Sequence, residues 1–180
     1  AIPEIQRPFV WKRAKVRDLI DSLYQNYPIG YIITWKSPDV KIKDGKTSNG
    51  RLILIDGQQR VTALSTALNK AEVVNEEYKK ERIVISFNPI TEEFKVRDKS
   101  TERGKEWITD IADAMDAGRK YVNEFLSLNG IVGDDDADII SDRFESLKQI
   151  KNADIGNITL DATLPIDIVT EIFVRINDAG

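Results

Sequence analysis

The chain has 180 residues, 41% of them hydrophobic and 31% charged, and its 26 basic and 30 acidic residues give a net charge of −4. It contains neither cysteine nor histidine, which excludes disulfides, zinc–cysteine sites and histidine-based catalysis, and the lack of cysteine favours a cytoplasmic setting. No apolar run approaches the roughly 20 residues of a membrane span. The negative net charge argues against a surface that binds a long stretch of nucleic-acid backbone, although a local basic patch is compatible with that charge.

The first residues of the chain predict an extended arm. Two prolines in this stretch, Pro3 and Pro8, break regular structure and favour an extended backbone. Gln6 and Arg7 lie between them and present an amide and a guanidinium. For Arg7, a ligand contact and a salt bridge are equally good interpretations. Trp11 follows, and packing in the core is its favoured role.

A helix and a strand follow the arm. Apolar residues recur at helical spacing over residues 13–27 and predict an amphipathic helix, which Pro28 ends. The β-branched and aromatic run Tyr31–Trp35 predicts a strand. Residues 37–50 are polar and predict a loop.

The next stretch predicts a strand, a tight turn and a helix in immediate succession. Four aliphatic residues, Leu52–Ile55, are too few for a helix but enough for a strand buried on both faces. Asp56 and Gly57 are a strong turn signal, in which the glycine can supply a positive φ angle. Apolar residues at helical spacing from Val61 to Leu68 then predict a helix. This succession places a cluster of polar side chains at a helix N-terminus.

The polar cluster has two interpretations. Backbone N–H groups and the dipole of a helix N-terminus favour an anion, and Arg60 adds a planar cation suited to phosphate or carboxylate. Alternatively, Asp56 is a helix N-cap and Arg60 pairs with a carboxylate of the protein. A structural turn needs only Asp-Gly, so the added amides of Gln58 and Gln59 favour recognition of a polar, anionic ligand.

Residues 82–150 predict a hairpin followed by helices. The runs Arg82–Phe87 and Glu93–Val96 flank an Asn-Pro turn and predict two paired strands. Three aspartates at 134–136 favour a helix N-terminus over a metal site, because they lack alternating ligand spacing. The first predicted helical face comprises Trp107, Ile108, Ile111, Ala112 and Met115. The glycines that separate the helices are Gly118, Gly130 and Gly133.

The remaining residues predict a short strand at Ile158–Leu160 and then a last helix. We expect a core at residues 1–99 and a helical extension at 100–180 that returns to the core through Phe173–Gly180, or one continuous domain.

Three motifs occur in order along nearly the whole chain, namely Ile5–Trp11, Asp56–Leu64 and Phe173–Gly180. The second reads Asp-Gly-Gln-Gln-Arg-Val-Thr-Ala-Leu and is the most specific. Together the motifs resemble the N-terminal domain family of the GmrSD-type modification-dependent restriction enzymes, also known as domain of unknown function 262. The resemblance implies an α+β fold. Its nucleotide-binding core would be similar to ParB and sulfiredoxin proteins, with a small mixed sheet and helices, and a helical segment would follow it.

The resemblance also implies a function. Relatives bind, and in some cases hydrolyse, a nucleoside triphosphate, and they regulate the cleavage of modified or foreign DNA by a nuclease domain. The family's nuclease part carries histidine and this chain has none, so the implied nuclease is another segment or subunit. The implied protein is a cytoplasmic, bacterial restriction or phage-defence component. Its implied partners are a nucleoside triphosphate, DNA through the full-length protein or complex, the nuclease and, in a homo-oligomer, further copies of itself.

The motif match implies which residues form the pocket. Arg60 would offset phosphate charge, and Asp56 would hold Mg²⁺ or orient a water, which makes these two the candidate catalytic residues. Hydrolysis needs positioning and charge stabilisation, so the absence of histidine does not forbid it. The implied nucleotide-binding residues are Gln6, Arg7, Asp56, Gly57, Gln58, Gln59, Arg60, Thr62, Arg175 and Asn177.

Two alternatives compete with a nucleotide-binding domain. In the first, the pocket is vestigial, the domain recognises DNA or a protein, and Arg7 and Arg60 form structural salt bridges. In the second, the domain itself cleaves phosphodiester bonds, as some ParB-like domains are proposed to do. The acidic balance argues against both as functions of an isolated DNA-binding domain.

Overall fold

The computed structural model describes residues 8–36 and 52–178, and side chains up to residue 176. It has the α+β character that the sequence predicts, while a ParB- or sulfiredoxin-like arrangement stays an expectation. None of the described helices is long and apolar enough to cross a lipid bilayer. The described helices are α1 (Arg13–Tyr24), α2 (Gln58–Leu68), α3 (Lys99–Arg103), α4 (Ile111–Ala114), α5 (Arg119–Asn129), α6 (Asp134–Gln149) and α7 (Ile166–Asp178), with a 3₁₀ turn at Ile150–Asn152. The described strands are β1 (Tyr31–Lys36), β2 (Leu52–Asp56), β3 (Val73–Val74), β4 (Lys80–Glu81), β5 (Ile85–Asn88), β6 (Glu93–Val96) and β7 (Gly156–Leu160).

The chain divides into two compact units, each assembled from separate segments. Both units run across the predicted division into residues 1–99 and 100–180, and that division stays a prediction. The first unit comprises Ala1–Pro8, Gly30–Val61 and Ile155–Gly180, and the second comprises Phe9–Ile29 and Thr62–Asp154.

The first unit is built on a three-stranded sheet in the order β2, β1, β7. β1 lies antiparallel to β2 and parallel to β7. Trp35 of β1 and Ile53 of β2 are register partners, and both are buried together with Val169 of α7. The Trp35 indole Nε1 donates a hydrogen bond to the Asp161 carbonyl at 3.1 Å. The indole is therefore fixed both by packing and by its polar atom.

The strand predicted at β2 is confirmed, but its predicted burial on both faces is wrong. Ile53 is its one buried residue, and Leu52 is 45% exposed. β2 lies at an edge of the three-stranded sheet. A run of aliphatic residues predicts a strand but does not show whether both of its faces are covered.

The predicted first helix, α1, ends earlier than residue 27. The N–H of Asn26 donates to the Leu23 carbonyl at 3.1 Å, and the N–H of Tyr27 donates to the Ser22 carbonyl at 2.8 Å. Asn26 has a φ angle of 57°, and a left-handed residue with these two bonds forms a Schellman motif. Asn26 therefore terminates the helix before Pro28 is reached.

The second unit contains the larger core, to which α1, the β5–β6 hairpin, α5 and α6 contribute. The hairpin is confirmed, and its Phe87 and Phe94 stack at 4.5 Å beside Tyr24 of α1. The Tyr24 hydroxyl donates to Glu92 at 2.8 Å, and Glu92 pairs with Arg143 of α6 at 2.9 Å. Burial, with the neighbouring carboxylate, raises the pKa of the Tyr24 hydroxyl. This hydrogen bond and this ion pair thus connect α1, the hairpin and α6 within the second unit.

The helical face predicted over residues 107–115 is wrong in its first part. Ile108 exchanges backbone hydrogen bonds with Phe87 at 2.9 and 2.7 Å and is extended. The helix begins only after Asp110, whose carboxylate accepts the N–H of Ala112 at 3.0 Å as an N-cap. The apolar spacing wrongly indicated one continuous helix because residues before and after this cap contribute to the same core.

The three predicted glycine boundaries are confirmed. Gly118 precedes α5, Gly130 ends that helix with a φ angle of 68°, and Gly133 precedes α6. The aspartates at 134–136 fill the first turn of α6, as predicted, where the helix dipole favours negative charge. Among residues 8–36 and 52–178, no group of three or more acidic, histidine or cysteine side chains could hold a metal ion.

A buried threonine provides a test of the second unit. The Thr66 side chain is fully buried in α2, and its hydroxyl accepts the N–H of Ile83 at 3.0 Å. The substitution Thr66→Val keeps the shape but leaves that buried N–H without an acceptor, which costs about 1–3 kcal/mol. We expect urea denaturation to show this loss in the free energy of unfolding. The control Thr170→Val, on an exposed part of α7, should change it by less than about 0.5 kcal/mol, and equal effects would contradict the assignment.

Candidate functional site

The candidate site is the turn between β2 and α2, and its predicted strand–turn–helix structure is confirmed. β2 ends at Asp56 and α2 begins at Gln58. The carbonyl of Gly57 accepts the N–H of Val61 at 3.0 Å. Gly57, and not Asp56, is therefore the N-cap residue, since its carbonyl accepts the first intrahelical bond.

Close packing makes a side chain unfavourable at Gly57. Its φ angle is +96°, which L side chains rarely adopt, and a Cβ atom there would lie 2.7 Å from Cγ2 of Ile32. The turn therefore packs with its backbone directly against β1. The backbone N–H groups that open α2 are positioned by this contact.

Arg60 is held by the chain that leads into β1. Its Nη1 atom donates to the Tyr31 carbonyl at 2.7 Å. Gly30 has a φ angle of +85°, and a Cβ atom there would lie 3.2 Å from Nη2 of Arg60. No carboxylate among residues 8–36 and 52–178 forms an ion pair with this guanidinium. Arg60 is thus fixed by a neutral acceptor that leaves its charge uncompensated within that part of the chain.

The two glutamines lie in the first turn of α2 and are partly exposed. The side-chain amide of Gln59 donates to the Pro8 carbonyl at 3.2 Å, so the end of the N-terminal arm reaches this helix. Gln6 and Arg7, the residues before Pro8, lie outside the described residues. Their predicted place in the pocket stays a prediction.

Asp56 is partly exposed at the last position of β2. It is the register partner of Ile33, and the pairing shifts by one residue between Ile33 and Thr34. Irregularities of this kind bend a strand and redirect its side chains, and they are frequent next to functional sites. Asp56 belongs to no cluster of three or more possible metal ligands among the described residues. It therefore fits Mg²⁺ only together with oxygen atoms from a ligand, which is how Mg²⁺ is usually bound beside phosphates.

The other predicted site residues lie in two helices. Thr62 is a partly exposed residue of α2 and the first that belongs to the second compact unit. Arg175 is 77% exposed in α7, where it pairs with Glu171 one turn earlier. Asn177 lies in the last turn of α7, and its side chain is outside the described part of the chain. A role of these three residues in the pocket stays a prediction.

The sequence analysis missed the groups that hold the turn. The carbonyls of Pro8 and Tyr31 bind Gln59 and Arg60, but a backbone acceptor has no signature in a sequence. Gly30 did carry a signal, because glycine after Pro-Ile marks a turn. That signal shows where the chain bends and not which side chain packs on the bend.

The arrangement suits an anion. The first N–H groups of a helix have no intrahelical partner, and the dipole adds partial positive charge at this end. The first turn of α2 has no acidic residue, and Arg60 lies within the same turn. Donors and positive charge are therefore combined at one place.

Two comparisons with known proteins bear on this site. A family model described as the GmrSD restriction endonuclease N-terminal domain matches residues 1–180. An uncharacterized protein of Methanocaldococcus jannaschii is 34% identical over 82 residues, and the match covers 38% of this chain and 14% of that protein. The chain therefore spans only a small part of the length of that relative.

Glycine at the turn can be tested by one substitution. We expect Gly57→Ala to lower the free energy of unfolding by about 1–3 kcal/mol, because it combines a disfavoured φ angle with a clash against Ile32. The matched control is Gly118→Ala, because nothing lies within 4 Å of its added Cβ and its φ angle is −84°. The control should cost no more than about 0.5 kcal/mol. Chemical denaturation followed by circular dichroism measures both, and a Gly57 variant as stable as the control would contradict the packing described here.

Proposed function

The chain belongs to the family of GmrSD restriction endonuclease N-terminal domains, and on this premise we propose that it is a nucleotide-binding regulatory domain of a bacterial restriction or phage-defence protein. The nucleoside triphosphate binds at the turn between β2 and α2. Its binding controls the cleavage of modified or foreign DNA by a nuclease domain or subunit.

The observation that carries this proposal is the state of Arg60. A structural arginine on a protein with 30 acidic residues would be expected to pair with a carboxylate. Within the part of the chain that the structure describes, Arg60 instead binds the Tyr31 carbonyl at 2.7 Å. A guanidinium has five N–H donors in a fixed planar fork, so this bond orients the group while further donors stay suited to phosphate oxygens.

The α2 N-terminus supports the same ligand. Its backbone N–H groups and dipole favour a phosphate by about 0.3–1 kcal/mol for an exposed charge, and by more where water is excluded. Because Gly57 packs against Ile32, the turn is held in a fixed position at the start of α2. The amides of Gln58 and Gln59 add polar groups of both donor and acceptor type beside it.

Asp56 fits a role with the metal that accompanies a nucleoside triphosphate. Bound Mg²⁺ would supply charge neutralisation for the phosphates. Asp56 would provide one ligand oxygen or orient an attacking water, and Arg60 would stabilise charge that develops on the transferred group. Positioning and charge stabilisation by these residues are sufficient for hydrolysis in principle, and turnover decides between an enzyme and a nucleotide sensor.

The same geometry favours one competing function. The bond from Arg60 to the Tyr31 carbonyl is also what a purely structural arginine would make to fix α2 against β1. The pocket would then be vestigial, and the domain would recognise DNA or a protein. A measurement of nucleotide binding separates the two functions.

Calorimetric titration of the folded chain with each of the four ribonucleoside triphosphates and Mg²⁺ tests the proposal. We expect at least one to bind, and Arg60→Ala to weaken its binding about 10–100-fold, as expected for the loss of a hydrogen bond to a charged group. Arg119→Ala is the matched control, since Arg119 is exposed in the first turn of α5, and it should leave the affinity unchanged.

Thermal denaturation of each variant controls for misfolding, because nucleotide should raise the melting temperature of the wild type and of Arg119→Ala but much less that of Arg60→Ala. Phosphate release, with Asp56→Asn as the inactive comparison, then reports hydrolysis. If folded wild-type protein binds none of the four nucleotides, the proposal is overturned, and salt-sensitive DNA binding would support the competing function.

A further inference from the structure

The outer edge of β7 is the feature that carries this inference. β7 is an edge strand of the three-stranded sheet, with β1 on its inner side. Four of its five residues, Gly156 to Thr159, are exposed. No backbone group in the described part of the chain pairs with the outer side of this strand.

β7 lacks the features that usually prevent strands from pairing at an edge. Such edges are blunted by charged residues, proline, bulges or a covering element. The sequence Gly-Asn-Ile-Thr-Leu has no charge and no proline, and its pairing with β1 runs without a register shift. The opposite edge, β2, ends in the charged Asp56 and has an irregular register with β1. The outer edge of β7 is therefore better suited than the edge at β2 to pair with another strand.

The sequence of β7 is complementary to itself in one antiparallel register. Centred on Ile158, this register places Ile158 opposite its own copy, Asn157 opposite Thr159, and Gly156 opposite Leu160. Directly opposite residues share a face of the sheet, so polar residues meet polar ones and apolar residues meet apolar or small ones. A shift by one residue would place polar side chains opposite apolar ones and destroy this match.

We propose that β7 pairs with β7 of a second copy of this chain across a twofold axis at Ile158. The two three-stranded sheets then form one continuous sheet. Ile158, which is 46% exposed, is covered by its counterpart. This isologous contact buries the same patch on both copies, as the common twofold dimer requires.

The polar residues of β7 support this arrangement. Thr34 of β1 donates to the Asn157 side chain at 3.0 Å, and the Asn157 amide donates to the Thr159 hydroxyl at 3.2 Å. These bonds form a row of hydrogen-bonded polar side chains on one face of the sheet. In the proposed register, Asn157 of each copy lies opposite Thr159 of the other. The row of polar side chains therefore continues across the twofold axis.

Charge distribution favours a second copy over a charged peptide. Asp161 follows β7, and its carboxylate accepts bonds from the N–H and hydroxyl of Thr163, which hold the pKa of Asp161 below its usual range. The proposed register places Asp161 opposite Ile155 and not opposite another carboxylate. The paired strands themselves are neutral, so the contact creates no like-charge pair within this unit.

The proposed contact is small, so we expect the affinity of the dimer to be low. A strand pair of this length supplies about four to six intersubunit hydrogen bonds and less than the roughly 800 Å² per partner of a standard interface. We therefore expect a reversible dimer whose population depends on protein concentration.

Cysteine cross-linking tests the register directly, because the wild-type chain has no cysteine. Paired Cα atoms in an antiparallel ladder lie about 4.5–5.5 Å apart, within the range that a disulfide accepts. We expect Ile158→Cys to form a disulfide-linked dimer under mild oxidation. Asn157→Cys is the register control, since its counterpart would be about 8 Å away, and Leu52→Cys on β2, with nearly the same exposure as Ile158, is the control for chance collision.

Sedimentation of the full chain over a concentration series tests the contact without cysteine. We expect the wild type to dimerise, Ile158→Lys to weaken the dimer at least about tenfold by placing two cations at the axis, and Leu52→Lys to leave it unchanged. Circular dichroism checks that each variant is folded, and the cysteine variants decide the question if Ile158→Lys is not. The proposal is overturned by a wild type that stays monomeric to about millimolar concentration, or by cross-linking at Asn157 or Leu52 as fast as at Ile158.

Discussion

The candidate site depends on the close approach of two backbone segments in the first compact unit. Gly57 places the turn after β2 against Ile32, and Gly30 leaves room for the guanidinium of Arg60. Both glycines have positive φ angles, so the chain can make each bend without strain while leaving no side chain in the way. These two contacts hold the first turn of α2 next to β1.

Arg60 illustrates how one structural bond can order a long, charged side chain. A freely rotating arginine loses side-chain entropy when it binds a ligand, by up to about 2 kcal/mol. The bond to the Tyr31 carbonyl fixes part of that freedom during folding. The group is therefore ordered before any ligand arrives, which is the condition for a smaller entropic cost of binding. In the proposed nucleotide complex, binding would use N–H donors other than the one that binds Tyr31.

The sequence predicts the local elements of this protein better than their surroundings. Asp56, Gly57 and the aliphatic run before them specify a strand and a turn through local conformational preferences, and the structure confirms both. Whether β2 has neighbours on both faces is decided by residues far away in the chain, and the burial of Leu52 was predicted wrongly for that reason. At Ile108 the helical spacing indicated a core residue correctly but indicated a helical backbone wrongly, because the cap at Asp110 decides where the helix begins. The acceptors of Gln59 and Arg60 are main-chain oxygens, which every residue has and no sequence pattern identifies.

The parallel pairing of β1 with β7 has a consequence for the order in which the chain is assembled. Thr34 and Thr159 lie side by side although 125 positions separate them in the sequence. During synthesis, the sheet that carries the candidate site cannot be completed until β7 has left the ribosome. All residues of the second unit precede β7 in the chain. Contacts of long sequence separation also form slowly, because a large loop must close first. The sheet of the first unit is therefore expected to form after the second unit, and in the proposed function a nucleotide would bind only after both have formed.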